Sequence, residues 1–115
     1  MNARTPHDDA ATPRYFQIPK PLTEQLPTHN FGTITMTSPS PAVIENIMGS
    51  LGKPDADEGA SYRELVAACA TGEHGERFTA ALLAELPGQC LMDWIKLRTA
   101  ALRICGVSEE SVGNI

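Results

Sequence analysis

Few side chains in this sequence could do chemistry, and they are widely spaced. The histidines are His7, His29 and His74. None stands in a metal-ligand spacing such as H-E-x-x-H. His7 lies in a polar N-terminal stretch, His29 in a proline-flanked loop and His74 beside a glycine at a predicted helix start. All three read as solvated loop residues. The cysteines, Cys69, Cys90 and Cys105, are odd in number and include no C-x-x-C pair, which argues against a disulfide framework and a zinc site. They read as buried free thiols, packing as small hydrophobes. A nucleophilic thiol needs an electropositive setting. Cys105 falls at the C-terminus of a predicted helix, where the dipole opposes a thiolate. Cys90 lies near that helix's start but belongs to an apolar stripe. Asp55, Asp57 and Glu58, followed by Gly59, match a calcium loop only in part, and the later ligands are missing. No G-K-[ST] phosphate loop exists. The expectation is no catalytic residue, no metal site and no cofactor: the chain is not an enzyme.

Composition narrows the alternatives. The chain has 115 residues, 42% hydrophobic and 20% charged, which suits one globular domain. Aromatics are only 5%, so aliphatic residues and alanine must fill the core. The formal net charge is −5, and the nine basic residues form no run. Duplex binding requires clustered Lys and Arg to release counterions, so nucleic acid and anionic membrane are poor partners. No stretch approaches the roughly 18–20 apolar residues of a membrane span. Residues 1–13 are polar and lack the apolar centre of a signal peptide. A cytoplasmic location follows as the expectation.

The elements that must position any binding surface come next. Residues 1–13 read as a flexible arm, and residues 14–115 as a single helical domain with an N-terminal β-ribbon. Arg14 to Ile18 looks like a strand, stopped by Pro19 and Pro21. Phe31 to Thr37 is the best strand in the chain, with Ile34 and Met36 facing one way and Thr33, Thr35 and Thr37 the other. Pairing these segments gives a two-stranded ribbon. About four helices follow, so the expected fold is α+β, mainly α. Ser40 and Pro41 fit the N-cap and first position of a helix running to about residue 51. Ser61 and Glu64 form a capping box opening a second helix, closed by Gly72. A third is predicted over about 75–86, and a fourth over about 89–105, ended by Gly106.

The fourth helix carries two apolar stripes. Leu91, Ile95, Leu102 and Cys105 form one, and Trp94, Leu97, Ala101 and Ile104 the other. Together they are wider than an amphipathic helix needs. Either the helix is central and packed on both sides, or one stripe docks a protein partner. Because Trp is enriched at binding hot spots, Trp94, Leu97, Ala101 and Ile104 are the candidate protein-binding residues.

Several segments together resemble the tail assembly chaperones of long-tailed bacteriophages. One is Ile18-Pro19-Lys20-Pro21-Leu22, a short strand leading into a K-P dipeptide. Another is the threonine-rich Ile34 to Thr37 with Ser38-Pro39, before the helix from Ala42 to Met48. The third is Leu102 to Glu110, a helix end running into Gly106-Val107-Ser108-Glu109-Glu110. The resemblance covers residues 14–50 and 90–112. It implies a small, acidic, non-virion chaperone in the host cytoplasm. Such a chaperone covers the long helical tape-measure protein and helps recruit tail-tube subunits, with homo-oligomer formation as a possible aid. Covering exposed apolar stripes on a rod keeps it from aggregating. The competing expectation is a small acidic inhibitor, immunity-type or adaptor protein that binds one protein partner.

Overall fold

A computed structural model describes residues 14–49 and 57–107. The arm at 1–13, the acidic Asp55 and the Ser108-Glu109-Glu110 segment lie outside the described residues. The alternation at 33–37 organises the centre of the fold. Strand β2, Thr33–Thr37, buries Ile34 and Met36 and leaves its threonines partly exposed. Its partner is β1, Thr23–Pro27, paired antiparallel with Leu26 opposite Ile34 and Glu24 opposite Met36.

That pairing corrects the expected ribbon in two ways. Residues 14–18 form no strand, and all of them are exposed. The segment nearer in sequence takes the pairing edge, because a five-residue turn closes it at little entropic cost. In that turn, Thr28 N–H donates to the Gly32 carbonyl at 2.9 Å, and Phe31 N–H donates to Thr28 Oγ1. Gly32 has φ +69°, the left-handed conformation that lets the chain re-enter the strand. The sheet also has three strands, not two: β3, Ala70–Thr71, pairs antiparallel with β2 on its other edge.

Helix α1, Pro41–Met48, begins as the sequence indicates, with Ser40 Oγ accepting from Val43 N–H and Pro41 in the first turn. Helix α2, Glu58–Cys69, does not start at Ser61. Its N-cap is Asp57, whose Oδ1 accepts from Ala60 N–H at 3.0 Å. Ser61 lies a turn further in, buried. Nor does Gly72 close α2. The chain passes from Cys69 straight into β3, and the Arg77 guanidinium donates to the Ala67 and Ala68 carbonyls at the helix end.

The same Arg77 shortens the third helix. Residues 72–77 form a turn closed by a bridge between Thr71 and Arg77. Helix α3 is therefore only Ala80–Ala84, capped by Thr79. A 3-10 turn at Gly88–Cys90 leads into α4, Leu91–Ile104. It ends in a Schellman arrangement: Gly106 at φ +70°, Gly106 N–H to the Arg103 carbonyl and Val107 N–H to the Leu102 carbonyl.

The described chain is thus α+β and mainly helical. Its core joins Ile34 and Met36 of the sheet, Leu65 and Val66 of α2, and Leu97 and Ala101 of α4. Arg98 of α4 lies over the Tyr62 ring of α2, 5.7 Å from its centre, and Phe31 meets Phe78 edge to face at 5.2 Å. Among the described residues, no helix is long and apolar enough to cross a membrane.

Candidate protein-binding surfaces

Helix α4 positions everything that follows, and one carboxylate fixes it to the hairpin. Asp93 lies in its first turn, where the helix dipole favours an anion. It is 2% exposed. Its Oδ1 accepts from His29 N–H at 2.8 Å, and its Oδ2 from Asn30 N–H at 2.7 Å and Asn30 Nδ2 at 2.8 Å. Burial alone would raise its pKa. The two backbone amides and the Asn30 side chain outweigh that and hold it below the ordinary carboxylate value. Further along α4, Lys96 Nζ donates to the Pro27 carbonyl, and Arg103 pairs with Glu24 of β1. The helix is therefore docked on the sheet by polar contacts at its start, middle and end.

This docking divides the residues singled out on α4. Leu97 and Ala101 are fully buried in the core. Trp94 is half-buried and lines a small cleft with Leu86, Pro87 and Leu91. Ile104 is buried but forms part of the wall of a different groove. The four residues do not form one surface. The width of the apolar face comes from packing on both sides: α2 on one, the sheet on the other.

The exposed apolar side chains lie elsewhere. Leu91 and Met92, in the first turn of α4, are open to solvent beside the Trp94 cleft. A longer run precedes β1: Tyr15, Phe16, Ile18 and Leu22 are all exposed, Phe16 completely. Leu22 is anchored by exchanging hydrogen bonds with Ser38, at 3.0 Å to the Leu22 carbonyl and 3.1 Å from its N–H. Between the later part of this run, Ile18 to Leu22, and the body lies a groove of about 730 Å³. Its walls include Ile18, Leu22, Pro39, Ile44, Ile104 and Cys105. The groove is of the size that accommodates a ligand or a row of partner side chains.

The sequence contained the signal for this surface, but as a strand. Arg14-Tyr15-Phe16-Gln17-Ile18 has strand composition, yet it pairs with no strand among the described residues. Among the described residues, no three His, Cys, Asp or Glu side chains converge as a metal site would require. His29 contributes its backbone to the hairpin lock, and His74 is exposed, with Nδ1 3.5 Å from Glu76 Oε2. Set beside known protein families, characterised proteins and solved structures, the chain matches none of them.

Proposed function

We propose that this protein is a non-catalytic, protein-binding chaperone that covers apolar surface on a long helical client, in the manner of the phage tail assembly chaperones it resembles. The observation that carries the reading is the run Tyr15–Leu22: four exposed large hydrophobic side chains in eight residues, of which Ile18 and Leu22 line an apolar groove. Contiguous apolar surface on a small acidic chain favours protein contact. The net charge of −5 keeps the free protein and its complexes soluble. Contact then falls on Tyr15, Phe16, Ile18 and Leu22, with Trp94, Leu91 and Met92 as a second patch. A helical client would lay its apolar stripe along the groove, as amphipathic helices do in helix-in-groove recognition.

The test begins with the reading frames next to this gene. A very long frame encoding a mostly helical protein is the client to co-express. The expected result is a soluble complex with the wild-type chain and an insoluble client with the Phe16→Asp, Ile18→Asp double variant. Equal solubility with both chains would remove the surface from the account. A tight one-to-one complex with a neighbouring toxin or nuclease would replace the chaperone with an inhibitor.

A further inference from the structure

Two of the three cysteines meet, although 36 positions separate them. Cys69 Sγ and Cys105 Sγ are 3.8 Å apart. Cys69 is the last residue of α2, and Cys105 is the C-cap of α4. Cys69 is buried, whereas Cys105 is half-buried and lies in the wall of the groove beside residues 18–22. One thiol is therefore reachable from solvent and the other waits behind it. At the α2 end that carries Cys69, the Arg77 guanidinium binds the Ala67 and Ala68 carbonyls, and its charge acts on the Cys69 thiol alone of the pair. Cys90, buried at the 3-10 turn, stands outside this pair.

We propose that Cys69 and Cys105 form a redox-active dithiol, which closes to an intrachain disulfide by exchange with a small disulfide such as oxidised glutathione. The order of attack follows from exposure. Cys105 loses its proton, and its sulfur attacks one sulfur of the small disulfide. That S–S bond breaks, and one glutathione leaves as a thiolate that takes up a proton. Cys69 then loses its proton and attacks Cys105 Sγ, expelling the second glutathione thiolate, which is protonated in turn. Two electrons and two protons pass from the pair to the small disulfide, giving two reduced glutathiones. The hydrogen bond between the thiols supports this order: at Cys105 it favours the thiolate against the dipole of the α4 C-terminus, and, with burial, it pushes the Cys69 thiol up. Closure requires the sulfurs to approach from 3.8 Å to about 2.05 Å.

The full-length chain is incubated with oxidised glutathione, folded and in urea, then alkylated and mapped by mass spectrometry. The folded protein should yield a Cys69–Cys105 disulfide with Cys90 still reduced. It should form on the order of ten times faster than in urea, where proximity is lost. Cys69→Ser should stop at a glutathione adduct on Cys105, while Cys105→Ser should leave Cys69 unmodified over the same time. Absence of the 69–105 linkage in the folded wild type would overturn the proposal. So would a linkage forming equally fast in urea.

Discussion

The hairpin turn at 28–32 and the segment at 14–22 are neighbours in sequence and opposites in structure. The turn is polar, yet its amides converge on a buried carboxylate on α4, 63 and 64 positions away. The segment is apolar, yet its aromatic side chains stand in solvent. Hydrophobicity alone would have assigned them the other way round. The turn is ordered because burying Asp93 leaves no tolerable alternative to satisfying it. Residues 14–18 add no strand to the sheet, whose central β2 is paired on both edges, and Pro19 and Pro21 have no N–H to give a ladder. Surface left over in this way is what a partner can cover.

The comparison can be broken most forcefully at Asp93. Asp93→Ala strands two backbone amides and should cost about 3 kcal/mol, read by urea denaturation. The same group sets an acid limb. Its folded-state pKa lies below the ordinary value, so its contribution is complete above the unfolded pKa and is lost as pH falls through the folded one. Stability of the wild type should therefore drop below about pH 4, and Asp93→Asn should flatten that limb. A wild-type acid limb unchanged in Asp93→Asn would mean that other carboxylates control it.

A smaller effect is expected at the turn itself. Gly32→Ala places a Cβ in left-handed backbone and against the Glu73 carboxylate that accepts from Thr33 N–H. A loss of about 1–2 kcal/mol should follow, and a neutral result would show that the turn relaxes freely. Asp57→Ala should cost about 1 kcal/mol through loss of the α2 cap, visible as a lower melting temperature. At the other end of the scale, Phe16→Asp with Ile18→Asp should change stability by less than about 0.5 kcal/mol. A larger loss would show that the segment is docked after all.

What the sequence disclosed follows the same division between local and distant causes. Ile34 and Met36, the Ser40–Pro41 helix start and the Gly106 helix stop are each written in a few adjacent residues. All three stand in the structure as read. Strand β1 was hidden because Thr23-Glu24-Gln25-Leu26-Pro27 offers only Leu26 as an apolar mark, while residues 14–18 imitate a strand better. The Ser61 box is a sound local signal that Asp57 pre-empts by one turn. The predicted helix over 75–86 lost its first half because Arg77 and Glu76 are used by the turn and the end of α2. The burial of Asp93 and the meeting of Cys69 with Cys105 join residues far apart in the chain, and no local pattern records them. For Trp94, Leu97, Ala101 and Ile104, spacing identified a wide apolar face, but only packing could divide it between core, cleft and groove.

The most direct measurement is backbone amide exchange of the full chain, free and in complex with the long helical client, followed over residues 14–18. The account predicts exchange near the unstructured rate in the free protein and strong slowing in the complex, while the hairpin held by Asp93 stays protected in both. Unchanged fast exchange at 14–18 in a stable complex would contradict it.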